Sequence, residues 1–193
     1  MYRPTPRTVL RMLILCSVFI SSRALAGERF GLRGHVELGG TVDFTSTSFS
    51  QGSNSVGVFS IAPYVGFFPM NGLEVGVRPL VTIISPSKGS SQTDLAIFVA
   101  PAWNFSSKRS TVTPFVEGLI GFSSGDYLNS TLGKMESVNG LAYGGRGGVK
   151  VQISDFGLLN FAVQYVSLDR TINSLSNREN RFSVGVGFTV YAY

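Results

Sequence analysis

A chain of 193 residues is long enough for one domain with a sizeable core. Its formal net charge of +5 and pI near 9.6 suggest an anionic partner, yet Arg3, Arg7, Arg11 and Arg23 all fall in the first 26 residues. The remainder carries 12 basic against 11 acidic residues, which removes the electrostatic ground for nucleic-acid binding, and one cysteine, Cys16, excludes a disulfide framework.

Residues 1–26 have the layout of a cleaved secretory signal. A basic leader precedes the apolar run Met12–Ile20, broken only by Ser17, and Ala24-Leu25-Ala26 is a small-x-small cleavage pattern. The run is too short to cross a bilayer as a helix. Leu15 precedes Cys16 where a lipoprotein signal needs a small residue. The mature domain is therefore expected over 27–193, with no cysteine left to mispair during export.

From there the dominant period is two, which predicts strands. Eight segments follow, at about 33–45, 56–67, 73–84, 94–105, 112–123, 140–153, 158–170 and 181–193. The connections alternate between long polar stretches and tight turns. In an up-and-down barrel this sorts the long loops to one rim and the turns, with both termini, to the other, as in outer-membrane barrels. The predicted fold is all-β: an eight-stranded antiparallel up-and-down transmembrane β-barrel.

The faces decide the solvent. In 73–84, Leu73, Val75 and Val77 share one side, and Glu74, Gly76 and Arg78 the other. Phe161, Val163 and Tyr165 oppose Ala162 and Gln164, and Phe182 to Val190 oppose Ser183, Gly185 and Gly187. A bulky face does not fit inside an eight-stranded ring, whose interior is just wide enough for side chains, but it suits lipid. Aromatics collect at the strand ends: Phe67, Phe68, Trp103, Phe105 and Phe156 near the turns, and Phe44, Phe122 and Tyr165 near the loops. This predicts two interfacial girdles.

By the same parity the lumen receives His35, Glu37, Asp43, Glu74, Arg78, Glu117, Arg146 and Lys150. Charges removed from water must pair, so an interior salt-bridge plug is expected. A narrow gated pore is the functional alternative. His35 is the only histidine, with Glu37 two residues away and no His-x-Ser pairing, so no hydrolase is predicted. The glycine-rich 144–148 lacks the Lys-Ser/Thr of a phosphate loop and lies in a strand pattern. No metal or cofactor constellation is present in the sequence. In the longest connection, 124–139, Tyr127, Leu128, Leu132 and Met135 are candidate surface-contact residues.

The chain resembles the small OmpA/OmpX-like outer-membrane β-barrels. The resemblance rests on HVELGGTVDFTST, on the hairpin FSIAPYVGFFPMNGLEVGV with Pro63, Gly66, Phe68, Asn71, Leu73 and Gly76, and on TPFVEGLIGF and YGGRGGVKVQI. It implies a non-enzymatic protein of the Gram-negative outer membrane that anchors surface loops in structural, adhesion or defence roles. The implied partners are outer-membrane lipids and lipopolysaccharide, periplasmic chaperones and the barrel-assembly machinery. One departure concerns the end of the chain. Tyr193 shares its face with Tyr191, Thr189 and Gly187 rather than with the apolar series, which suggests a shifted register or an overhang. A soluble lipocalin-like binder, with its bulky residues turned inward, is the competing reading.

Overall fold

Alternation of branched or aromatic residues with small or polar ones favours extended backbone. Glycine at close approaches lets the strands curve into a ring. The computed structural model describes residues 30–48, 55–86, 92–106, 110–129, 134–172 and 175–192; the expected signal segment lies outside them. The strands are β1 (Val36–Ser48), β2 (Ser55–Met70), β3 (Leu73–Pro86), β4 (Gln92–Asn104), β5 (Val112–Asn129), β6 (Lys134–Gln152), β7 (Gly157–Ile172) and β8 (Leu175–Ala192). Each is antiparallel to its chain neighbour, and β1 pairs β8 from Val36↔Ala192 to Phe44↔Val184, closing the barrel. Closure leaves no edge, as lipid requires.

Orientation follows parity. Val65, Val75, Val77, Val99, Ile120, Phe161 and Val186 are exposed on the outer surface, whereas Glu37, Glu74, Glu117, Arg78 and Arg146 are buried inside. A soluble binder would show the reverse, so the lipocalin-like reading is wrong. From Leu95 to Trp103 the apolar band of β4 covers eight residue steps, about 26 Å along the strand at ~3.3 Å per step. Tilted by about 40°, this gives roughly 20 Å of height, close to the ~25 Å band of a membrane barrel. Phe67, Trp103 and Phe105 ring the turn end, and Phe44, Phe122, Tyr165 and Phe182 the opposite end.

Four expectations need correction. The connection at 124–139 is mostly paired strand: β5 and β6 run in register to Asn129↔Lys134, leaving 130–133 between them. Likewise β7 and β8 pair to Ile172↔Leu175. The asymmetry between rims is thus expressed partly as strand length, because alternating polar sequence can continue antiparallel pairing in water as well as in lipid. Phe68 is not a girdle residue; it is fully buried against Phe30 inside the turn-side mouth. β8 keeps its register through Val190, Tyr191 and Ala192, with Tyr191 inside the barrel; Tyr193 lies outside the described residues. Finally, β1 begins at Val36, and residues 30–35 form an irregular segment across the mouth.

Two seams depart from regular pairing at mid-depth. In β2–β3 the pairing passes from Ile61↔Val81 to Val65↔Val77, with Pro63 and Pro79 opposite each other between them. In β4–β5 it passes from Val99↔Ile120 to Ala102↔Glu117, at Pro101. Proline has no N–H to give to a ladder.

Candidate functional site: a layered lumen

The interior is stacked in four layers. At the turn side, Phe30, Phe68, Leu158 and Tyr191 form an aromatic floor. His35 belongs to this floor. Its ring stacks on Tyr191 (5.7 Å between centroids, 16° between planes) and meets Phe68 edge-on at 6.5 Å.

Above the floor lies the charged layer, which draws on β1, β3, β5 and β6. Lys150 Nζ donates to Glu37 Oε2 at 2.6 Å and to Glu74 Oε2 at 3.1 Å, and Asn104 Nδ2 also donates to Glu74 Oε2 (3.0 Å). Glu117 serves two guanidiniums. Arg78 approaches it with Nε to Oε1 (3.1 Å) and Nη2 to Oε2 (3.3 Å), and Arg146 Nη1 donates to Oε2 (3.1 Å). Thr41 links Arg78 Nη1 (3.5 Å) to Asp43 Oδ2 (3.4 Å). Aromatic faces cover the cations: Tyr64 lies 4.4 Å from the Arg78 guanidinium, and Phe115 5.1 Å from that of Arg146 and 5.3 Å from Lys150 Nζ. Such contacts suit charges that have left water. The structure therefore gathers Glu37, Asp43, Glu74, Arg78, Glu117, Arg146 and Lys150 in one layer and sets His35 beneath it.

Tyr64 fits because two neighbours have no side chain. A Cβ on Gly76 would collide with the Tyr64 ring, and one on Gly66 with the Glu74 carboxylate and the Tyr64 hydroxyl. Gly76→Ala should therefore displace Tyr64 from Arg78 and cost about 1–3 kcal/mol by overpacking. Denaturant unfolding of the lipid-embedded barrel reads this, and a change below ~0.5 kcal/mol would show that the ring can move aside freely.

A third layer is apolar: Ala62, Leu80, Ala96, Phe98, Ala100, Leu119, Ala142, Val166 and Leu168 fill the cross-section. Above it is a second polar layer. Arg181 Nη2 donates to Asp94 Oδ2 (2.5 Å) and its Nε to Glu179 Oε1 (2.7 Å), and Ser60 and Thr82 hydroxyls pair at 3.0 Å. Parity places Asp94 with Ala96 and Arg181 with Ser183, so alternation carried the signal. Asp94 and Arg181 are the first residues of their predicted segments, where the alternating pattern merges into polar connection. The spaces left within the two polar layers are about 10 and 20 Å³, room for about one water each. Among the described residues the lumen is a packed column, not an aqueous path.

On the outer surface beyond the girdle, Arg178 and Asp169 form an exposed pair (Nε to Oδ1, 2.6 Å). The Arg178 hydrogen bond holds the Asp169 carboxyl below its ordinary range. Of the candidate contact residues, Tyr127 and Leu128 lie on β5 and Met135 on β6, with Leu128 opposite Met135. Leu132 lies outside the described residues.

A closed eight-stranded ring with oily exterior and ion-paired interior is the fold of the small outer-membrane β-barrels. No family of known sequences matches the chain, and no curated protein matches it. Its likeness is to solved structures. Neisserial surface protein A (NspA) superposes with a TM-score of 0.64 at 16% identity, covering 81% of this chain and 96% of that one. The attachment invasion locus protein Ail of Yersinia pestis gives 0.55 at 11% identity, covering 83% and 100%. OprG of Pseudomonas aeruginosa gives 0.54 at 12% identity, covering 86% and 98%.

Proposed function

We propose that this chain is a Gram-negative outer-membrane protein, exported by a signal cleaved after residue 26, whose filled barrel is a rigid anchor for surface hairpins. The observation that carries this is the pairing of a lipid-facing apolar belt with a lumen that is packed, among the described residues, from the turn-side floor through the apolar layer. A solid interior suits a structural or contact-making protein better than a channel, and the reading includes no catalytic step. The belt would meet phospholipid on the periplasmic side and lipopolysaccharide outside. Assembly would go through periplasmic chaperones and the barrel-assembly machinery. Contact with other molecules, in adhesion or surface defence, would fall to the β5–β6 hairpin, in whose ladder Leu128 is the register partner of Met135.

Cell fractionation tests the location. The protein should co-sediment with outer membranes, require detergent for extraction and migrate faster on gels before boiling than after. Recovery in the soluble fraction would end the reading. In planar bilayers the purified barrel should conduct no ions, in wild type and Arg146→Ala alike; steady conductance from the wild type would favour the gated pore instead. Leu128→Ser with Met135→Ser should weaken cell or surface attachment without changing the gel shift, and unchanged attachment would move the contact site elsewhere.

A further inference from the structure

The ring is complete without residues 30–35, since Val36 already pairs with both Phe67 and Ala192. The segment nevertheless folds back across the turn-side mouth. Phe30, 4% exposed, is held edge-on by Phe68 (5.4 Å, 84°) and Tyr191 (5.3 Å, 65°). The Phe30 ring lies 4.9 Å from Lys150 Nζ, the cation shared by Glu37 and Glu74. Phe30 is thus the floor residue of this segment that stands directly against the ion pairs, beside Phe68, Leu158 and Tyr191 of the barrel.

The attachment is local and light. Gly72 N–H donates to Gly31 O and Gly34 N–H to Phe68 O, both at 2.8 Å, and Phe68 N–H donates to His35 O at 2.9 Å. Arg33 N–H donates to Asn71 Oδ1 at 2.9 Å. Gly31 (φ 82°) and Gly34 (φ 91°) take the left-handed conformation that makes the bend, at little steric cost for glycine. A short irregular segment tied by the Phe30 and His35 rings and a few hydrogen bonds opens at lower free energy than the closed barrel it rests on, and a turn at Gly34 frees Phe30 while His35 stays on Tyr191.

We propose that residues 30–35 are a releasable plug. Withdrawal of Phe30, turning at Gly31 and Gly34, admits water to the Lys150–Glu37–Glu74 layer while the ring stays closed and the apolar layer above still blocks the lumen. In the proposed orientation this mouth faces the periplasm, so the plug makes the charged layer reachable from that side alone.

The test places a single thiol in the layer. The chain after residue 26 has no cysteine, and Asn160 is buried on β7 beside Thr189, where it lines the space between the ion pairs. Asn160→Cys in the full-length barrel in detergent is treated with methyl methanethiosulfonate, and the mass shift is followed in time. The thiol should react slowly with Phe30 in place and at least about tenfold faster with Phe30→Ala, both proteins keeping the heat-modifiable band. A barrel beginning at Gly31 should match the Phe30→Ala rate. Equal rates with and without Phe30, or wild-type labelling as fast as in the unfolded chain, would overturn the plug. Failure of both variants to give a folded barrel would overturn it too, by making the segment part of the ring's stability.

Discussion

Glu117→Ala should destabilise the folded barrel by about 3–5 kcal/mol, the cost of stripping a buried ion pair of one partner. Glu117 is the carboxylate between Arg78 and Arg146, accepting from both within 3.3 Å. Without it, two guanidiniums of the same sign share a site with room for about one water. A count over the whole layer gives the opposite answer. Glu37, Asp43, Glu74 and Glu117 face Arg78, Arg146 and Lys150, so loss of one acid would balance the total. Distance decides between the two arguments, because a partner about 3 Å away outweighs charges that other side chains and dipoles screen. Equilibrium unfolding in phospholipid vesicles can use Trp103, the only tryptophan, as reporter at the turn-side girdle. The double variant Glu117→Leu with Arg146→Met should recover much of the loss, with a coupling of at least about 1 kcal/mol. A single-variant effect within ~0.5 kcal/mol of wild type would mean that total charge, not local pairing, governs the layer.

Alternation made the ring and its two faces legible, since a period of two fixes which side each residue takes once one is known. Glu74 and Val75 could be assigned to opposite faces from sequence because the register shift beside the Asn71-Gly72 turn lies between Phe67 and Met70 on β2 and leaves the alternation of β3 intact. Partners were not legible. That Lys150 reaches both Glu37 and Glu74, across 113 and 76 residues of chain, depends on how far each strand is staggered around the ring. The composition of one strand does not hold that information. Strand ends were the other blind spot. Polar residues in 124–139 and 171–180 look like loop because turn composition and solvated strand share serine, asparagine and threonine. Only the pairing partner distinguishes them, as Asp126↔Ser137 and Asp169↔Arg178 do. Phe30 was invisible for a third reason. It lies in no periodic segment, and its burial depends on a bend at two glycines and on rings contributed by β2 and β8.

Val99→Arg is the sharpest probe of what surrounds the barrel. Val99 is exposed on the outer surface of β4, midway along the apolar band from Leu95 to Trp103. On a soluble protein an arginine there would be nearly neutral, within about 0.5 kcal/mol, because it would simply be hydrated. In a bilayer the guanidinium must be drawn to mid-depth or snorkel at a cost, and the expected loss is about 2–4 kcal/mol. Depth supplies the control: Phe44→Arg, at the opposite rim, should lose only about 0–1 kcal/mol of lipid-dependent stability beyond the packing lost with its contact to Phe59 (5.4 Å). Facing supplies a second control. Ala100, one residue on, is fully buried in the apolar layer, so Ala100→Arg should prevent folding in lipid and detergent alike, whereas Val99→Arg should fold well in detergent micelles and poorly in vesicles. The ordering of the three variants in vesicles follows from a single geometric statement, that side chains alternate between lipid and a packed column. Equal stability of Val99→Arg and wild type in vesicles would contradict it, because no other feature of position 99 could spare a charge at that depth.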